Sequence, residues 1–138
     1  MADSAYIGIF KRYMALNVLI VDDSAAIRKI LERVLRHADF PLGDVHEASD
    51  GREALEKLKS TPVGLVLSDI NMPNMDGLEL LAQVKKNDLW SKLPVIMITT
   101  EGSQEKVMRA IELGAFGYIR KPFTAQQIKD KLAGIVWE

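Results

Sequence analysis

Apolar positions along this chain follow two alternating rhythms. The first is a short unbroken run, seen at Asn17–Val21 (NVLIV), Leu65–Ser68 (LVLS) and Val95–Thr99 (VIMIT). Runs of this kind, without polar alternation, suit strands buried on both faces. Val45–Ala48 and Gly117–Arg120 are weaker versions of the same signal. The second rhythm is a spacing of three and four. Ile27, Ile30, Leu31, Val34 and Leu35 mark one face of a helix, Leu55 and Leu58 an apolar side of another, and Ile128, Leu132, Ile135 and Val136 that of the last.

Start and stop signals agree with these rhythms. Asp50 precedes Glu53, and Asp76 precedes Glu79, at the spacing of a capping acceptor and its partner. Thr124 and Gln127 repeat the pattern. Ser103 caps a helix running to Leu113, and Gly114 supplies a left-handed end. Asn71–Gly77 (NMPNMDG) is turn chemistry. Five strands alternating with five helices predict an α/β fold, a doubly wound five-stranded parallel sheet with helices on both faces. No repeat or Pro/Gly-rich linker divides the chain, so one domain is expected over 15–138, after an N-terminal extension at 1–14. In that extension Ala5–Phe10 (AYIGIF) comes before Lys11 and Arg12, the reverse of the order in a secretory signal. A packed or frayed extension, or sequence upstream of an internal start at Met14, is the expectation there.

Composition removes several function classes. Lys and Arg total 18 against 19 Asp and Glu, so the formal charge is −1 and no cation surplus exists for a nucleic-acid backbone. No apolar run approaches the ~20 residues of a spanning helix, and no membrane role is expected. There are 0 cysteines, which excludes disulfides and thiolate chemistry and fits a cytoplasmic location.

The chemistry lies just past the strands. Open parallel sheets bind ligands beyond the strands' carboxyl ends, where strand order reverses. The residues there are Asp22 and Asp23, Asp69, Thr99 and Thr100, and Lys121. With strand order 2-1-3-4-5, the first and third strands adjoin at the reversal, and Asp22, Asp23 and Asp69 converge. At ~4 Å and an effective dielectric of about 20, each carboxylate pair repels by roughly 4 kcal/mol. Protonation of one carboxyl or capture of a divalent cation relieves that repulsion. Hard oxygens without His or Cys favour Mg2+ or Mn2+. Lys121 adds a point charge and Thr99 a hydroxyl. The set makes a phosphoryl-binding site with Asp69 placed for in-line attack on phosphorus.

Val21-Asp22-Asp23-Ser24, the stretch Leu67–Gly77 (LSDINMPNMDG), Ile98-Thr99 and Lys121-Pro122-Phe123 together resemble the receiver (CheY-like) domain of two-component response regulators, nearest to stand-alone chemotaxis-type regulators. The resemblance implies a flavodoxin-like sheet and gives each residue a role. Asp69 accepts a phosphoryl group from a sensor histidine kinase. Asp22, Asp23, Asp69 and the Asn71 backbone carbonyl hold Mg2+ (or Mn2+), Asp22 mostly through water. Lys121 contacts the phosphate, and the Lys121–Pro122 bond is cis. Thr99 swings toward the phosphate, and Tyr118 turns inward into the space it leaves. Asn71 and Glu101 flank the phosphoryl group and tune its hydrolysis. Thr100 departs from the family, which usually has Ala or Gly there, and is expected to narrow access for small phosphodonors.

The implied output is a population shift of a face built from the fourth helix, fifth strand and last helix. The expected partner is a protein such as a flagellar motor switch protein. The last predicted helix ends with the chain at Glu138, so a stand-alone regulator is expected; a phosphorelay intermediate passing phosphate to a histidine phosphotransfer protein is the alternative. Such a domain catalyses only its own phosphorylation and dephosphorylation, and is not classed as an enzyme. An aspartyl-phosphate phosphatase fits poorly, because it wants D-x-D where this chain has adjacent Asp22-Asp23 followed by Ser24. A flavin carrier lacks its phosphate loop at Ser24-Ala25-Ala26. His37, His46, Trp90 and Trp137 read as surface or packing residues.

Overall fold

A computed structural model describes residues 15–38 and 41–136. The extension at 1–14 and Trp137 lie outside the described residues. Strands β1 (Leu16–Val21), β2 (Leu42–Ala48), β3 (Leu65–Ser68), β4 (Val95–Thr99) and β5 (Gly117–Arg120) alternate with helices α1 (Ala25–His37), α2 (Gly51–Ser60), α3 (Gly77–Lys86), α4 (Gln104–Glu112) and α5 (Ala125–Val136). All neighbouring strands pair parallel, in the order β2-β1-β3-β4-β5.

The period of two along each strand sends alternate side chains to opposite faces. Leu19, Val21, Val66 and Met97 face one way and pack with Ala54, Leu58, Leu80, Leu81, Val84 and Ala110 from α2, α3 and α4. Val18, Ile20, Leu67, Ile96, Ile98 and Ile119 face the other way, against Leu31 and Leu35 of α1 and Ile128 and Leu132 of α5. Two cores thus clamp one sheet, and this explains why β1, β3 and β4 carry no polar alternation.

Caps hold the helices where the sequence signals place them. Asp50, Asp76 and Ser103 accept from the backbone N–H of Glu53, Glu79 and Lys106 at 2.9, 2.8 and 3.3 Å. Thr124 and Gln127 form a reciprocal box at 2.8 and 3.2 Å. Gly114 takes φ +93 just after α4, a conformation that penalises any residue with a Cβ.

Two differences from the sequence reading have physical causes. Strand β2 starts at Leu42 rather than Val45. Gly43 and Asp44 are poor strand formers, but the Asn17 side chain accepts from the Asp44 N–H at 2.8 Å beside a register shift in β1. A Cβ on Gly43 would fall 2.2 Å from that same Asn17 oxygen, so a side chain there would push the Asn17 amide off this bond. Ile30, at the edge of the α1 stripe, is 44% exposed, because Leu31 and Leu35 set the line that meets the sheet. Among the described residues, no helix is long and apolar enough to cross a membrane.

Candidate functional site

Parallel pairing carries the backbone ladder one residue past the strands and so fixes the acidic side chains. The Asp22 N–H donates to the Ala48 carbonyl at 3.1 Å, and the Asp69 N–H to the Val21 carbonyl at 2.9 Å. Asp22 and Asp69 are buried, at 2% and 8% exposure, while Asp23 is exposed. One carboxylate oxygen from each of Asp22, Asp23 and Asp69 lies within 4.8 Å of the others. The Lys121 N–H donates to the Thr99 carbonyl at 2.8 Å, which aims its side chain across the same crest. Its Nζ sits 2.6 Å from Asp22 Oδ2 and 3.2 Å from Asp69 Oδ2. Burial works to lower the Lys121 pKa. The hydrogen bond and charge of Asp22, with Asp69 behind them, outweigh it and hold the ammonium above its ordinary 10.5.

The donor set fits a hard dication. It offers three carboxylates and neither imidazole nor thiolate, and the nest already draws the Lys121 cation between two of its members. Magnesium and manganese both take such oxygen ligands, so the donors alone do not separate them.

The loop from Ile70 to Gly77 is built tightly around Asp69. The Gly77 N–H donates to the Ile70 carbonyl at 2.8 Å. A Cβ on Gly77 would land 2.0 Å from the Asp69 carbonyl oxygen, so glycine alone lets α3 begin this close to the crest. Asn74 takes φ 66 and donates from its amide to Asp50 Oδ2 at 2.8 Å. The Gly51 N–H bonds the Met75 carbonyl at 3.0 Å. The β2–α2 and β3–α3 loops are therefore stitched together beneath the acids.

The remaining candidates gather at the β4–α4 loop. Thr99 is fully buried, and its Oγ1 accepts from the Glu101 N–H at 3.1 Å. The Tyr118 hydroxyl donates to the Glu101 carbonyl, with its ring half-buried against the core on that face. Burial, then the Glu101 charge, pushes the Tyr118 pKa up. Glu101 is held at about 2, first by the Ser103 N–H, then by the Ser103 hydroxyl and the Asn71 amide. Asn71 stands exposed, its amide 3.4 Å from Glu101 Oε2 and its oxygen 3.4 Å from Lys106 Nζ. Thr100 is exposed beside them. The Lys121–Pro122 peptide is cis.

Sequence reasoning did not find Arg28, Glu47, Asn74 or Lys106. Arg28 bonds the Asp22 carbonyl at 2.5 Å and Glu47 at 2.9 Å, joining α1 and β2 beside the acids. No spacing rule announces such pairs, because they depend on how separate elements are registered in space. The Asp50–Asn74 pair had one signal, an Asn in a turn, where left-handed φ is common.

Comparisons with known proteins bear on the fold and the family. Residues 18–133 match the family model of the response regulator receiver domain. Chemotaxis protein CheY-3 of Vibrio cholerae is 41% identical over 117 residues, covering 85% of this chain and 88% of that protein. The crystal structure of Vibrio cholerae CheY4 superposes with a TM-score of 0.78 at 36% identity, covering 88% of this chain and 98% of the other. A Borrelia burgdorferi complex of CheX and CheY with BeF3 and Mg2+ superposes with a TM-score of 0.80 at 30% identity, covering 89% and 90% of the two chains.

Proposed function

This chain belongs to the response regulator receiver domain family, and from that premise we propose that it is a phospho-switch in which Asp69 takes a phosphoryl group from the phosphohistidine of a sensor kinase. The observation that carries this reading is the crest itself: three carboxylates with one oxygen apiece within 4.8 Å of the others, two of these carboxylates bridged by a lysine. An Asp69 carboxylate oxygen attacks phosphorus, the P–N bond to the donor imidazole breaks, and that nitrogen keeps the bonding pair. Lys121, already against Asp69, follows the charge that builds on the phosphoryl oxygens. Asp22, Asp23, Asp69 and the Asn71 carbonyl would hold Mg2+, or Mn2+, which would supply further charge neutralisation.

Thr99 and Tyr118 supply the output. Both hold the Glu101 backbone, one by its N–H and one by its carbonyl. Rotation of the Thr99 hydroxyl toward a phosphorylated Asp69 gives up the Glu101 N–H, so the β4–α4 loop and α4 re-equilibrate and Tyr118 follows. The face of α4, β5 and α5 then changes its affinity for a partner. The chemotaxis relatives favour a motility partner such as a flagellar motor switch protein, or a protein like the CheX found with the Borrelia burgdorferi CheY. The test is incubation with Mg2+ and acetyl phosphate, read on a phosphate-retarding gel. A shifted band that Asp69→Asn abolishes supports the reading, and a shift that survives the substitution overturns it.

A further inference from the structure

Asp22 has every polar atom assigned. Its N–H goes to Ala48, its Oδ1 accepts from the Ser24 N–H at 2.8 Å, and its Oδ2 takes Lys121. Its carbonyl is taken by Arg28 Nη1 at 2.5 Å. Arg28 is itself fixed from the other side. Its Nε pairs with Glu47 Oε1 at 2.9 Å, and the second Glu47 oxygen takes Lys29 at the same distance. Glu47 sits on β2, directly opposite Ile20 in the register with β1. The Arg28 side chain is only 17% exposed, against 62% for Lys29, so the end of this chain nearest Asp22 is the one shielded from water.

We propose that Arg28 and Glu47 form a positioning clamp that sets the β1–α1 loop, and with it the Asp22–Asp23 pair, for a divalent cation. The inference rests on the metal reading of the crest given above. Neither residue touches the cation; both act through the Asp22 backbone. The guanidinium fork suits this task, because one planar group reaches a carbonyl and a carboxylate at once.

Charge and positioning predict opposite signs. A guanidinium beside an acidic nest repels a dication, so electrostatics alone requires Arg28→Met to tighten Mg2+ binding. Positioning requires it to weaken, because the Asp22 carbonyl loses its anchor. Glu47 belongs to the clamp only if it works through Arg28, so its removal on top of Arg28→Met must add little.

The test is a Mg2+ titration of the full chain by calorimetry, with melts in chelator run in parallel for stability. Arg28→Met and Glu47→Gln are each expected to weaken Mg2+ affinity by about tenfold, as loss of an outer-sphere partner does elsewhere. Arg28→Lys, which keeps the charge and loses the fork, is expected to stay weakened. Arg28→Met with Glu47→Gln is expected to match Arg28→Met alone. Tighter or unchanged binding in Arg28→Met, or wild-type binding in Arg28→Lys, overturns the clamp. If Arg28→Met fails to fold, Arg28→Lys decides, because it keeps the charge: wild-type affinity overturns the proposal. Absence of Mg2+ binding in the wild type refutes the metal reading and removes the clamp's purpose. Wild-type binding lost in Asp23→Asn shows the metal reading standing while the clamp is judged on its own variants.

Discussion

Two partly buried lysines sit at opposite ends of the sheet and show how differently its rims are made. Lys121, at the carboxyl ends of the strands, bridges Asp22 and Asp69, and its pKa is raised although burial opposes it. Lys85, at the amino ends, donates to the Ser91 and Leu93 carbonyls at 3.2 and 2.9 Å, and burial lowers its pKa. The groove beside Lys85, about 640 Å³, is lined by Leu16, Gly64, Pro94 and Phe116 among others. A lysine bound to carbonyls is a strut. A lysine bound to carboxylates marks the rim where the proposed cation and phosphoryl group would sit. The same five strands make both rims, and the residues just past them decide which one carries chemistry.

Substituting each lysine breaks the comparison most sharply. In the proposed switch Lys121→Met removes the cation that would follow charge on the phosphoryl group, and acceptance from acetyl phosphate is expected to fall about 10²-fold. Lys85→Met is expected to cost about 1 kcal/mol in urea unfolding and to leave acceptance unchanged. Because the Lys121 pKa is raised, its ion-pair stabilisation is fully present below the ordinary 10.5 and is lost only as pH climbs through the higher folded value. Lys121 therefore does not make stability pH-dependent near neutrality.

Glycines give the next contrast. Gly77→Ala drives a methyl group into the Asp69 carbonyl, and is expected to cost about 1–3 kcal/mol and to displace Asp69, so that the gel shift weakens as well. Gly114→Ala at the other rim meets only the Lys85 side chain at 3.7 Å. Its cost is backbone strain of about 1–2 kcal/mol, with acceptance kept. Equal loss of acceptance in both would mean the gel is reading instability.

Smaller effects sharpen the crest itself. Thr100→Ala is expected to speed acetyl phosphate reaction by about 3-fold, within the range of contact changes worth under 1 kcal/mol; an equal or slower rate removes the access argument. Glu101, held at about 2 against an ordinary 4.5, contributes stability that is present above 4.5 and lost as pH falls toward 2. Glu101→Gln is expected to flatten that acid limb in thermal melts, and an unchanged limb contradicts the Ser103 cap as its cause.

Much of this architecture is legible in the residues. Buried strands must be apolar throughout, so NVLIV, LVLS and VIMIT declare themselves, and each ends at or just before a residue that matters. Caps are local, so Asp50, Asp76, Ser103 and Thr124 can be read without a fold. The edge strand is harder, because the start of β2 depends on an Asn17 side chain lying 27 positions away from the Asp44 it holds. Hardest are the pairs that join elements. Arg28, Glu47 and Asn74 carry no signal of their partners in the sequence, and Asp50 reads only as a cap; they become a clamp and a stitch only once register places them together. Gly77 was visible as a turn residue, but the reason for it, an approach to the Asp69 carbonyl, exists only in space.

The central claim is that a single carboxylate at the crest captures the phosphoryl group. Borohydride reduces an acyl phosphate to an alcohol and leaves a free carboxylate alone, so it marks the acceptor covalently. Treatment of the full chain with acetyl phosphate and Mg2+, then borohydride, then peptide mass mapping should convert residue 69 to homoserine, and only when Mg2+ is present. Conversion at another aspartate, or equal conversion in chelator, would contradict the account.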